Sequence, residues 1–247
     1  RARLGFDECD VGVVLNVSAD HLGLRGINTL EQLADVKSVI AAVVKREGHA
    51  VLNADDALVY AMRERTAGDV VLFSVRPPGE SPHVEDHLAR GGIVARIEPD
   101  GAAGAETFVL RRGRLRIPIA TLHEVPLMLG GAARFQRGNV LAAMATAYVQ
   151  GMRYDDIRAG LLSFFPSPAL TPGRLNLIRL GRRRVLVDYA HNAAAVEGLL
   201  DFVQRLPARR RLGVVTVPGD RRDEDIRTLG RLAAGLDRVI VKEDDDR

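Results

Sequence analysis

Arg184-Val185-Leu186-Val187-Asp188-Tyr189-Ala190-His191-Asn192 is the stretch whose reading decides the fold. A β-branched run ends in a polar loop, and an apolar helical pattern follows from about 194 to 205. The same order recurs downstream. Leu212 to Val217 reads as a strand, Gly219-Asp220-Arg221-Arg222-Asp223-Glu224-Asp225 as a loop, 223 to 236 as a helix, and Arg238 to Val241 as a strand. This β-α-β-α-β alternation predicts a parallel, doubly wound, Rossmann-like sheet.

Toward the amino terminus, Pro166-Ser167-Pro168 to Pro172-Gly173 reads as a linker. It divides the chain into 1–168 and 169–247. Upstream, Val11 to Val17, His49 to Leu52 and Val70 to Ser74 read as short buried strands of a parallel sheet. A helix is expected from Thr29, where Thr29-Leu30-Glu31-Gln32 fits a capping box, with Leu30, Leu33, Val36, Ile40 and Val43 as its stripe. From about 92 to 130 the pattern turns to alternation, which predicts a small antiparallel subsheet attached to the first domain. Helices over 139–150 and 155–164 close that domain.

Composition narrows the function classes. The 247 residues are 47% hydrophobic and 27% charged, a globular rather than disordered balance. No run approaches eighteen consecutive apolar residues, so no membrane partner is expected. One cysteine, Cys9, excludes an internal disulfide framework and a zinc ribbon, and points to a reducing cytoplasm. Only three of the 35 basic residues are lysines (Lys37, Lys45, Lys242). The arginines are interleaved with acids, except in Arg182-Arg183-Arg184 and Arg209-Arg210-Arg211. Tryptophan is absent and aromatics are 4%, a poor stacking platform, so nucleic acid is not the expected partner. The chain begins at Arg1 and ends on Asp244-Asp245-Asp246-Arg247. That reads as a piece of a longer polypeptide.

Each polar cluster falls just after a strand: Asp20-His21, Asn53-Ala54-Asp55-Asp56, Asp188 to Asn192, Gly219 to Asp225, and Glu243 to Arg247. Ligands of open α/β sheets bind at those carboxyl ends, although acids there also serve as ordinary helix caps. Asn16-Val17-x-x-Asp20-His21-Leu22, a lysine sixteen residues past the histidine, Asn53-Ala54-Asp55-Asp56, Gly173-Arg174 and Asp188-Tyr189-Ala190-His191 together resemble the Mur ligase family. The likeness covers nearly the whole chain. It implies a central ATPase domain followed by a Rossmann-like substrate domain. It also implies amide ligation, in which ATP and Mg²⁺ convert a carboxylate to an acyl phosphate that an amine attacks.

The resemblance implies roles residue by residue. His21 matches a magnesium-ligand histidine, and Lys37 a lysine that carbamylation turns into a carboxylate-like ligand. Asn139 matches the amide that reads adenine; alternatively it is a plain N-cap. Arg174 matches an arginine at the ATP phosphates and Asp188 an acid near the ribose, with His191 beside it. Arg221 is implied at the incoming amino acid's α-carboxylate. Asp244, Asp245, Asp246 and Arg247 would face a cationic side chain, or else form a solvated tail. In the branch with these features, arginine is joined to the β-carboxylate of an aspartate-backbone polymer, a task that suits a homo-oligomer. Alternatives are a cell-wall or folylpolyglutamate-type amino-acid ligase, or a non-catalytic nucleotide- or polymer-binding module. The family's phosphate loop, G-x-x-G-K-[ST], is absent from these residues. It is expected upstream, with a metal-binding glutamate, so this segment alone is expected to bind ATP poorly and to be inactive.

Overall fold

In a computed structural model, the structure describes residues 5–20, 22–23, 26–101, 104–216 and 222–242. The elements in order are β1 (Cys9–Val14), α1 (Leu30–Lys37), α2 (Val39–Ala42), β2 (Val44–Asn53), α3 (Ala57–Ala61), β3 (Asp69–Ser74), α4 (Pro82–Ala89), β4 (Ile93–Asp100), β5 (Ala105–Arg112) and β6 (Leu115–Thr121). Then come α5 (Arg137–Val149), α6 (Tyr154–Ser163), β7 (Asn176–Leu180), β8 (Arg183–Val187), α7 (Ala193–Arg205), β9 (Leu212–Val215), α8 (Asp223–Ala233) and β10 (Arg238–Val241).

The first six strands form one sheet in sequence order. β1 to β4 pair in parallel, and β4 to β6 antiparallel. The expected antiparallel subsheet is therefore the far edge of the main sheet, because β4 pairs with β3 on one side and β5 on the other. Alternate residues build two cores. Val51, Val71, Phe73, Ala95, Ile97, Phe108 and Leu110 pack under α5 and α6. Ala50, Leu52, Leu72 and Val94 pack under α1 to α4. α2 lies so close on β1 that a Cβ at Gly12 would sit 2.5 Å from the Ile40 carbonyl oxygen.

Toward β6 the second face changes character. Arg96 and Glu98 are buried there. Glu98 takes the guanidinium groups of Arg96 at 3.3 Å and of Arg111 and Arg116 at 2.9 Å, while Arg96 also meets Glu85 of α4 at 3.0 Å. Three arginines share one carboxylate, and Arg116 also meets Asp100 at 3.2 Å.

Several local expectations are corrected. The capping box is present: Thr29 accepts from the Gln32 amide, and Gln32 returns the bond. The helix, however, breaks at Ser38, whose hydroxyl donates to the Asp35 carbonyl. Val36 is consequently 55% exposed, and Val43 lies beyond α2. β2 begins at Val44 rather than His49, and α4 and β7 were not anticipated. α5 begins at Arg137, so Asn139 does not cap it. In the C-terminal region the β8-α7-β9-α8-β10 order is present, and β9 and β10 pair in parallel. β8 finds its partner in β7, antiparallel.

Both packings have measurable consequences. Glu98→Ala leaves the buried Arg96 with Glu85 as its one remaining carboxylate and is expected to cost about 1–3 kcal/mol in denaturant unfolding. His87 of α4 is held below its ordinary 6.5, chiefly by burial, with backbone hydrogen bonds at Ile93 and Val70 opposing. The unfolded chain then binds the extra proton, so stability is lost as pH falls through about 6.5. Thermal melting at pH 7.5 and 5.5 checks this: His87→Leu is expected to reduce the difference.

Candidate functional site

The carboxyl ends of β1, β2 and β3 meet at Asn53-Ala54-Asp55-Asp56. The Asn53 amide nitrogen donates to the Leu15 carbonyl at 2.8 Å, and its oxygen accepts from the Asp55 amide. Asp55 accepts from the Ser74 hydroxyl at 2.6 Å and the Val75 amide at 2.7 Å. Asp56 accepts from Val17 N–H at 2.7 Å with one oxygen and caps α3 through Leu58 and Val59 with the other. This tetrapeptide stitches three strand ends together, and its polar atoms are occupied in doing so.

Above those ends lies a cleft of about 210 Å³ lined by Leu15, Asn16, Asn53, Phe73, Arg134, Phe135 and Asn139. Asn139 projects from the first turn of α5 and donates to Gln136 Oε1 at 2.7 Å. Apolar walls with amide groups at the rim suit a planar, polar-edged ring. Lys37, at the end of α1, donates from Nζ to the Asn16 carbonyl at 3.1 Å, beside this cleft.

A second group forms where the C-terminal domain meets the first. His191 Nε2 and Asn192 Nδ2 both lie 3.3 Å from Asp20 Oδ2, and His191 Nδ1 is 2.9 Å from the Tyr189 carbonyl. Arg174 lies over the Tyr189 ring at 4.9 Å. Asp188 Oδ2 accepts from the Leu175 amide at 2.8 Å. Leu175 has φ +51°, a left-handed conformation costing about 1–2 kcal/mol in a non-glycine residue. Asp188 and the burial of Leu175 beside Ala133 and Phe202 offset that cost. Arg174, Asp188 and His191 are thus brought together, and Asn139 stands in the neighbouring cleft.

His21, Arg221, Asp244, Asp245, Asp246 and Arg247 lie outside the described residues. Among the described residues no three His, Cys, Asp or Glu side chains converge to hold a metal ion, and no helix is long and apolar enough to cross a membrane. The acidic run Asp223-Glu224-Asp225 opens α8, where carboxylates complement the helix dipole. Arg222 is taken up by Asp225 at 2.9 Å and Glu224 at 2.6 Å.

Sequence reasoning missed Phe135 and Asn192. Phe135 stands at the cleft wall, meets Phe202 of α7 edge-on at 6.3 Å, and leaves a Cβ at Gly198 only 3.1 Å of room. Asn192 caps α7 through the Ala195 amide as well as reaching Asp20. Its position before Ala193-Ala194-Ala195 was the available signal.

The geometry is that of an α/β sheet with polar loops at its strand carboxyl ends, and comparison with known proteins gives it a family. The Mur ligase middle domain matches residues 2–147, and the Mur ligase glutamate ligase domain matches 173–247. The chain belongs to the Mur ligase family. It is 50% identical over its full length to the cyanophycin synthetase of Synechocystis sp. (strain ATCC 27184 / PCC 6803 / Kazusa), of which it spans 27%. It shares its fold with MurF from Acinetobacter baumannii (TM-score 0.64, 20% identity, 94% of this chain and 46% of that one). MurF ligase from Thermotoga maritima, solved in complex with ADP, matches at TM-score 0.60 and 20% identity over 95% of this chain and 48% of that one.

Asn192→Asp is expected to retain the α7 cap while setting a carboxylate against Asp20. Asn192→Ala loses both contacts, at about 1–2 kcal/mol. Thermal melting of the two variants checks this, and equal stability of Asn192→Ala and wild type would contradict the assignment.

Proposed function

We propose that the chain belongs to an ATP-dependent amide ligase, a cyanophycin synthetase that joins arginine to the β-carboxylate of a poly-aspartate backbone. The observation that carries this reading is the 50% identity to such an enzyme across all 247 residues. The cleft and the Asp20–His191 junction supply compatible geometry.

In this reading a carboxylate oxygen of the growing polymer attacks the γ-phosphorus of ATP, and ADP departs. The arginine α-amine then attacks the acyl phosphate, and phosphate leaves as the amide forms. Asn139 reads the adenine edge in the cleft. Arg174, planar and permanently charged, lies toward the phosphates, with Asp188 and His191 beside the ribose. Arg221 holds the arginine α-carboxylate, and Asp244 to Asp246 with Arg247 receive its side chain. Mg²⁺, with His21 and a carbamylated Lys37 as ligands, belongs to the reading through family resemblance alone. As placed, Lys37 is a hydrogen-bond donor to Asn16, so no step is assigned to a metal. A cytoplasmic homo-oligomer completes the proposal.

The test follows ATP-dependent incorporation of labelled arginine into an aspartate-backbone primer by the parent protein. Lys37→Ala is expected to lower incorporation by at least about a hundredfold, the scale on which loss of one electrostatic group slows an enzyme. Turnover with a different amino acid would move the substrate. A folded parent with no turnover on any acceptor would favour a non-catalytic binding module.

A further inference from the structure

The antiparallel hairpin of β7 and β8 carries its register past its last paired residues. Asn176 lies opposite Val187. One step outward, Leu175 meets Asp188, its amide donating to Oδ2 at 2.8 Å. One step further, Arg174 meets Tyr189, its guanidinium over the ring at 4.9 Å. Arg174 and Tyr189 are thus a cross-strand pair set just beyond the ladder, and side chains opposed in this way interact directly.

The root of Arg174 is fixed. The buried Asn176 side chain accepts from the Gly173 amide at 2.8 Å and donates to the Thr171 and Arg174 carbonyls at 2.9 and 3.1 Å. The Arg174 amide donates to the Thr171 carbonyl at 3.0 Å. The long side chain above that root is exposed, and a free arginine in water samples many rotamers. Among the described residues no carboxylate pairs with it; what it meets is the Tyr189 ring. Elsewhere arginines are held by acids: Arg65 by Asp35, Arg137 by Glu106, Arg222 by Asp225. An acid holds a guanidinium by neutralising it and occupying its N–H fork. A ring holds it by one face, and leaves the charge and the in-plane N–H groups for an anion.

Tyr189 has little else to do in the fold. It is 61% exposed and stands outside the buried junction cluster of Ala133, Leu175 and Phe202. Its other ring contact is His191, with centroids 5.0 Å apart and planes tilted by 57°. One exposed ring therefore touches both side chains that the ligase reading sends to the nucleotide. We propose that Tyr189 is a positioning residue, whose ring holds the Arg174 guanidinium charged and with its donors free for the polyphosphate of a nucleotide. Preorganising a long side chain in this way lowers the ordering cost of binding. The proposal rests on the ligase reading of Arg174 and adds the residue through which Arg174 is held.

Binding of a non-hydrolysable ATP analogue to the parent protein is read by isothermal titration. The variants are Tyr189→Leu, Tyr189→Phe, Arg174→Gln, and Tyr189→Leu combined with Arg174→Gln. Tyr189→Leu is expected to weaken binding about three- to fivefold, the scale of one cation–π contact at an exposed site. Tyr189→Phe keeps the ring face and is expected to stay within about twofold of wild type. Arg174→Gln is expected to weaken binding at least about tenfold. In the Arg174→Gln background, Tyr189→Leu is expected to change affinity by less than about twofold, because the ring acts through the guanidinium. A wild type without nucleotide affinity, or Arg174→Gln as tight as wild type, would overturn the ligase reading of Arg174 and the proposal with it. With Arg174→Gln weakened, the proposal alone fails on any of three results: Tyr189→Leu as tight as wild type, equal loss from Tyr189→Leu in both backgrounds, or Tyr189→Phe as weak as Tyr189→Leu.

Discussion

The arrangement of strand ends depends on Asp55 and Asp56. Between them these two carboxylates hold the Val17 amide beyond β1, the Ser74 hydroxyl and Val75 amide beyond β3, and the first turn of α3. Parallel strands do not share hairpin turns, so no tight connection ties their carboxyl ends together. These side chains add that tie to the register of the ladder. Asn16 and Asn53 reach the same rim, where α5 places Asn139 and the turn before it places Phe135. Without the stitch, the cleft has no fixed floor.

The junction between the two domains is built differently. Its apolar share is small, with Ala133, Leu175 and Phe202 fully buried and Leu129, Leu186 and Leu199 around them. Its polar share is the Asp20 contact with His191 and Asn192. Among the described residues this junction is smaller than the two cores that sandwich the large sheet. Phe135 belongs to both regions, touching the cleft on one side and α7 on the other. Occupation of the cleft and packing of α7 therefore act on the same ring.

Much of this was legible in the residues. The capping box at Thr29, the β-α alternation after Asp188 and the change from alternation up to about 130 to a helix expected from 139 express local chemistry, and all appear in the structure, the helix starting two residues earlier. The failures share a cause, which is that long-range contact decided the outcome. The apolar stripe predicted an unbroken helix past Lys37. The backbone breaks at Ser38 because α2 must lie against Gly12 of β1, a contact no window of sequence contains. Val44 to Gly48 carries Lys45, Arg46 and Glu47, so its polarity hid the strand that β1 recruits. The cap alternative for Asn139 rests on its residue type, whereas the structure places Gln136 at the cap position with no side-chain cap bond. Among candidate site residues, spacing placed Arg174, Asp188 and His191 in loops. Their convergence on Tyr189 and Asp20 needed the fold.

Chain direction makes the opposite ends of the C-terminal domain chemically distinct. Arginines stand at or before the first residues of β8, β9 and β10, whereas the His191 loop follows the last residue of β8. Residues just before a strand and residues just after it are therefore sorted onto opposite faces by topology, whatever their spacing in sequence. Arg183 and His191 are eight residues apart, yet they address different solvent. The Arg184 bond to Pro207 then has a specific consequence. It joins two arginine runs that chain order keeps 25 residues apart, turning separate charges into one field.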